Sequence, residues 1–190
     1  NRLILHFGAV DQIVSVCVDG FFVGTHTGGY LPFSFDVTDY LSANTIHEIR
    51  LQVKDTLSHK YPYGKQRKNR GGMWYTPVSG IWQTVWMEVV PEIYVSKMRI
   101  EPDMKGFDLF VEITNCQIPE EDDDFAIKVK IQRKSKNYEF TCQSTGLRID
   151  LRTDEKMQND FDLWSPENPA LYDFTVELYA SKSNLEQGKN

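Results

Sequence analysis

The chain has 190 residues, 41% apolar and 25% charged, the balance of a folded protein with room for one large domain or two small ones. No apolar run approaches the roughly 20 residues that cross a bilayer, so no membrane partner is expected. The net charge of −6 belongs to the second half: residues 1–92 carry eight Lys/Arg and eight Asp/Glu, residues 93–190 thirteen and nineteen, so no nucleic-acid partner is expected either.

The chain opens inside an apolar strand, Leu3-Ile4-Leu5-His6-Phe7, and an expectation follows that a longer polypeptide continues on its N-terminal side. Ile13–Val18 and Phe21-Phe22-Val23 flank Asp19-Gly20, a pair suited to a type I′ hairpin turn because both centres need positive φ. Leu31-Pro32-Phe33-Ser34-Phe35-Asp36 reads as a short strand whose proline marks a start or an edge. Val37–Leu41 predicts a turn with one helical turn, capped by Thr38 or Asp39. Ile49, Leu51 and Val53 then alternate with Arg50, Gln52 and Lys54, the pattern of a half-buried strand.

Lys54 to Met73 is expected to be loop. It holds Lys60, Lys65, Arg67, Lys68 and Arg70, with no acid between Asp55 and Glu88. A loop of that length in a compact domain is either solvated or lines a site. Three of the four tryptophans follow in Gly71–Glu88, where the second half alternates like a strand. Ile81, Val85, Met87 and Val89 share one face, and Trp82, Thr84, Trp86 and Glu88 the other. A strand buried on one side only should not place two indoles in water, so Trp82 and Trp86 predict a cover.

After Pro91-Glu92 the alternating segments come at short intervals: Met98/Ile100, Phe107–Ile113, Phe125–Ile131, Tyr138–Cys142, Leu147–Leu151 and Tyr172–Leu178. About seven strands in about a hundred residues predict an immunoglobulin-like sandwich over 93–182. The chain beyond Asn184 is polar and expected to fray.

Catalytic patterns are missing. Paired-carboxylate acid–base chemistry needs two facing carboxyl groups with separated pKa values, and the run Glu120-Glu121-Asp122-Asp123-Asp124 is a like-charged loop with nothing to separate them. His6, His26, His47 and His59 are scattered without metal-ligand spacing, and His6 reads as a core or edge histidine. Ser79 lacks the Gly-x-Ser-x-Gly elbow, and Gly28-Gly29 starts no phosphate loop. Cys17, Cys116 and Cys142 show no paired spacing and are read as reduced. No metal and no cofactor is expected, and recognition remains.

Four ordered motifs carry a family resemblance. Leu5-His6-Phe7-Gly8-Ala9-Val10-Asp11, the Val18-Asp19-Gly20 turn, Val23–Thr38 with its Gly28-Gly29-Tyr30 and Pro32-Phe33, and Ser79-Gly80-Ile81-Trp82 leading to Thr84–Glu88 resemble the sugar-binding sandwich of glycoside hydrolase family 2. That family contains β-galactosidases, β-glucuronidases and β-mannosidases. Trp164-Ser165-Pro166-Glu167-Asn168-Pro169-Ala170-Leu171-Tyr172 resembles the loop before the last strand of its second domain. The resemblance covers residues 2–92 closely and 93–178 more loosely.

It implies an all-β fold: a truncated jelly-roll (galactose-binding-like) sandwich over 1–92, lacking N-terminal strands, then the immunoglobulin-like sandwich. It implies a parent retaining glycosidase, β-galactosidase-like, whose two catalytic glutamates lie outside this chain on a (β/α)₈ barrel. This chain alone is then expected to be inactive, supporting the barrel as its partner in the same polypeptide. Carried over by motif, the carbohydrate contacts would be Arg70, Trp74 and Tyr75, and the domain-interface residues Trp82 and Trp86. Some members have an Asp before the Met-Trp pair, where this chain has Gly72. The rival readings are a free-standing carbohydrate-binding module and an immunoglobulin-like adhesion or scaffold pair. A homo-oligomer through exposed strand edges of 1–92 is also expected.

Overall fold

The computed structural model describes residues 1–43, 46–114, 125–150, 157 and 161–179. The protein is built from antiparallel sheets, with no α-helix among the described residues. Contacts divide it into two compact units, Asn1–Pro91 and Glu92–Asn190.

In the first unit, β1 (Arg2–Phe7), β2 (Val10–Asp11), β3 (Ile13–Val18), β4 (Phe21–Thr27), β5 (Phe33–Asp36), β6 (Ile49–Lys54), β7 (Gly80–Ile81) and β8 (Val85–Val90) follow in order. They form sheets ordered β5-β1-β8 and β4-β3-β6, with β2 paired to β7. Leu5 and Phe7 of β1 share one core with Val14, Val16 and Val18 of β3, joined by Val10 and Val37. The period-two pattern puts the even-numbered valines of β3 inward and leaves Ser15 and Cys17 half-buried. Cys17 is a free thiol.

The hairpin turn has the expected geometry, with φ of 50° at Asp19 and 87° at Gly20. Asp19 does more than turn the chain. Its carboxylate accepts the Ser42 and Glu48 amides, at 2.9 and 2.8 Å, and the Ser42 hydroxyl at 2.7 Å; its Oδ2 also lies 2.7 Å from His47 Nδ1. The contact with His47, then those with Ser42 and Glu48, hold this carboxyl well below the usual carboxylate range.

Two expectations here need correction. The helical turn after β5 is a 3₁₀ turn, Thr38–Tyr40, with Val37 at its N-cap and no side-chain cap. The Thr38 hydroxyl is used elsewhere: it accepts the Leu3 amide at 2.7 Å and donates to Asp36 Oδ1 at 2.7 Å. The expected tryptophan strand is also not continuous. Trp82–Thr84 interrupt it, so that β7 pairs with β2 while β8 pairs with β1.

Nor is one face of β8 buried. Val85, Met87 and Val89 stand opposite Phe7, Leu5 and Leu3 and so share the core-facing side, yet they are 39%, 45% and 66% exposed. The reason is position: β8 is the edge of its sheet, and among the described residues only Val90 of this strand is buried.

The second unit contains β9 (Val95–Pro102), β10 (Gly106–Ile113), β11 (Ala126–Arg133), β12 (Lys136–Cys142), β13 (Gly146–Asp150) and β14 (Asp173–Tyr179). Two sheets, β13-β10-β9 and β12-β11-β14, share one core in which Leu109 and Val111 meet Ile127, Val129 and Ile131. All six alternating segments of the second half form strands. Cys142 is free, whereas Cys116, the Glu120–Asp124 run and Leu151 lie outside the described residues.

Candidate functional site: the loop between Lys54 and Trp82

Between the end of β6 at Lys54 and the start of β7 at Gly80 the chain forms no strand, only turns and one isolated bridge, Gln66 to Tyr75. That bridge clamps the loop into two arms. The Tyr75 amide donates to the Lys65 carbonyl at 2.9 Å and the Arg67 amide to the Tyr75 carbonyl at 3.1 Å. The Gln66 side-chain oxygen accepts the Val78 amide at 2.7 Å, and Arg70 Nη1 donates to Thr76 Oγ1 at 3.1 Å. Gly72, with φ of +60°, makes the reversal between the arms, a left-handed conformation that glycine adopts without a Cβ clash.

Arg70, Trp74 and Tyr75 thus lie on one clamped loop. Tyr75 is 63% exposed and Trp74 is half-buried. One feature of the loop escaped sequence reasoning: Arg67 lies over the Trp74 ring, its guanidinium carbon 3.6 Å from the centroid. One face of this indole is therefore already covered. The acid-free interval marked the loop as unusual, but no spacing rule picks Arg67 out of five cations.

Two clefts flank the clamp. One, of about 480 Å³, is lined by Thr56, Leu57, His59, Tyr63, Gln66, Arg67, Lys68 and Asn69. His59 Nδ1 lies 3.0 Å from the Tyr63 hydroxyl, fixing the two rings edge to face. The other, of about 470 Å³, is lined by Asp11, Gly29, Tyr30, Gln66, Val78, Ser79, Gly80, Ile81 and Trp82. Burial, and the nearby Asp55 charge, push the Asp11 carboxyl above its usual range. A Cβ on Gly29 would fall 2.7 Å from both Asp11 Oδ1 and Gln12 Oε1, so a larger residue there would have to displace these two side chains.

Trp82 and Trp86 are held differently. The Trp82 Nε1 donates to the Gly29 carbonyl at 2.7 Å, with Tyr30 edge-on at 6.0 Å, and 52% of the residue stays exposed. Trp86 is 44% exposed and stacks on His6 at 4.7 Å with 5° between the planes. His6 Nε2 lies 3.2 Å from Glu88 Oε2, within ion-pair distance but not aligned as a hydrogen bond. His6 is thus a half-buried histidine on the central strand of its sheet, packed between an indole and a carboxylate.

No acid lies between Asp55 and Glu88, and among the described residues Asp11 is the one carboxylate lining either cleft, so these linings hold no carboxyl pair of the kind glycoside hydrolysis needs. Among the described residues no cluster of three His, Cys, Asp or Glu could hold a metal ion. The geometry suits binding, with donors, aromatic faces and one carboxylate around open clefts.

The model of the family described as Glycosyl hydrolases family 2 matches residues 93–189. The chain belongs to that family. It is 26% identical to a β-galactosidase of Thermoanaerobacter pseudethanolicus over 194 residues, covering 98% of this chain and 25% of the relative. It is 22% identical to a β-glucuronidase of Streptococcus agalactiae, covering 94% and 30%. Among solved structures, the apo β-glucuronidase of Ruminococcus gnavus shares the fold with a TM-score of 0.69 at 18% identity, over 95% of this chain and 31% of that one. The family 2 β-galacturonidase of Eisenbergiella tayi, bound to galacturonate, gives 0.62 at 22% identity, over 95% and 31%. The chain thus spans about a quarter to a third of these family 2 relatives. Its all-β architecture agrees with theirs.

Proposed function

We propose that the chain supplies two non-catalytic β-sandwiches of a family 2 glycoside hydrolase, β-galactosidase-like, which cleaves terminal β-linked sugars with retention. The observation that carries this reading is that curated β-galactosidases and β-glucuronidases match the chain nearly from end to end. In this proposal residues 1–92 are a sugar-binding jelly roll and residues 93–182 an immunoglobulin-like sandwich. The two glutamates and the (β/α)₈ barrel that bears them belong to the rest of the polypeptide, and this chain alone hydrolyses nothing.

Arg70 and Tyr75, with the uncovered face of Trp74, are the proposed sugar contacts. Their support is exposure combined with a clamped loop, which lowers the ordering cost of binding. Trp82 and Trp86 are the proposed contacts to the barrel, together with the uncovered row Val85, Met87 and Val89 of β8, because an exposed apolar strip of this kind is the mark of an interface.

The test is a chromogenic assay of the purified chain on β-galactoside, β-glucuronide and β-mannoside, paired with calorimetric titration of the corresponding methyl glycosides. The proposal expects no turnover above buffer, and weak binding of at least one sugar that Tyr75→Ala abolishes. Turnover that survives repurification would overturn it.

A further inference from the structure

Every acid of the first unit has a partner away from the Lys54–Trp82 loop or lies at its margin. Asp36 and Asp39 hold Arg2, Glu48 holds Arg50, Asp19 meets His47 and Glu88 faces His6; Asp55, which accepts the Leu57 amide, and Asp11, near enough to feel its charge, lie at the loop's margin, and Glu92 lies beyond this unit. Lys60, Lys65, Arg67, Lys68 and Arg70 are left without an ion pair among the described residues. Within that cationic interval, Arg67 is the preorganised group. Its flat face lies 3.6 Å from the Trp74 centroid, its backbone is tied at the clamp, and its in-plane N–H donors have no hydrogen-bond partner among the described residues. A stacked guanidinium with a free edge is a planar fork matched to a carboxylate or a sulfate.

The same Arg67 lines the cleft of about 480 Å³, together with His59, Tyr63 and Lys68. That volume lies within the range of small-ligand sites, and its polar lining suits hydroxyls beside an anion. We infer that this cleft binds the anionic group of an acidic sugar, a carboxylate or a sulfate ester, with Arg67 as its principal contact and Lys68 beside it. Residues 1–92 together are neutral, so the positive charge is a local spot sized for one anion and not a track for a polyanion. The inference rests on the sugar-binding reading above and adds the substrate class.

The experiment is calorimetric titration of the 190-residue chain with methyl β-glucuronide, galactose 6-sulfate, methyl β-galactoside, inorganic sulfate and a single-stranded oligonucleotide. At least one acidic sugar is expected to bind about tenfold or more tighter than methyl β-galactoside, because a hydrogen bond to a charged group is worth more than one to a hydroxyl. Whichever acidic sugar binds identifies the group. Arg67→Gln, at an exposed position, is expected to erase the preference, while Arg50→Gln, a cation of β6 that pairs with Glu48 and does not line the cleft, leaves it intact. Equal affinity for acidic and neutral sugars would overturn the inference and leave the sugar-contact reading standing. Tighter binding of inorganic sulfate or of the oligonucleotide, or a preference that Arg67→Gln does not change, would also overturn it. Binding of no sugar at all would overturn both readings.

Discussion

Replacing Phe7 by alanine tests whether β1 is the pivot of the first sandwich. Phe7 is 1% exposed, stacks on Phe33 at 4.9 Å, and sits in the strand that pairs with both β5 and β8. An aromatic side chain buries ~150–250 Å², which at ~25 cal/mol per Å² corresponds to an upper figure of ~4–6 kcal/mol. Measured Phe→Ala substitutions in cores cost about 3–5 kcal/mol, and part of the lost ring pair adds to that. For a unit of this size total stability is about 5–14 kcal/mol, so the variant should lose a large share of it. Urea unfolding followed by tryptophan fluorescence reports mostly on this unit, since Trp74, Trp82 and Trp86 lie in it and only Trp164 in the other. The midpoint should fall steeply, with Phe7→Leu in between. A loss below about 1 kcal/mol would refute the placement of Phe7 at the centre of the core.

Three further outcomes are expected. Asp19→Asn should lower the melting temperature at neutral pH. Because the folded carboxyl is depressed, its stabilisation is full above the unfolded value near ~3.9 and fades as pH falls through the lower folded value, so the gap between wild type and variant should narrow only below about pH 4; a gap unchanged down to about pH 2 would contradict this. Gly106→Ala should destabilise the second unit by about 1–3 kcal/mol or more, read by differential scanning calorimetry, because the new Cβ would lie 2.0 Å from the Ile149 carbonyl of the paired strand; a neutral result would mean β10 and β13 are not joined there. Val89→Lys, on the exposed edge strand, should reduce any concentration-dependent self-association in sedimentation velocity while leaving the circular dichroism spectrum unchanged.

Where local chemistry decides the outcome, the sequence was a good guide. Asp19-Gly20 specified its turn through positive φ, and Val14, Val16 and Val18 announced their face by alternation. The six alternating segments of the second half became six strands for the same reason.

Where neighbours decide, it was not. The row Val85, Met87 and Val89 alternates like a buried face, yet edge position leaves it open, which no periodicity encodes. Thr38 has the chemistry of a helix cap but is engaged by Leu3 and Asp36, one of them a residue 35 positions away.

The site divides the same way. An acid-free, cation-rich interval and an aromatic pair are visible in the letters, and the family resemblance, not the composition, singled out Arg70, Trp74 and Tyr75 among them. The stacking of Arg67 on Trp74, the burial of Gln12 and the approach of Gly29 to Asp11 are tertiary contacts and leave no local trace.

In the proposed function these sandwiches serve a larger glycosidase. An antibody raised against the 190-residue chain, used to precipitate the native polypeptide from the cells that make it, tests this directly when the precipitate is sized and assayed with fluorogenic β-galactoside and β-glucuronide. The expected precipitate is a polypeptide roughly four times the 22.0 kDa of this chain that hydrolyses at least one of the two. A precipitate of 22.0 kDa without hydrolytic activity would contradict it.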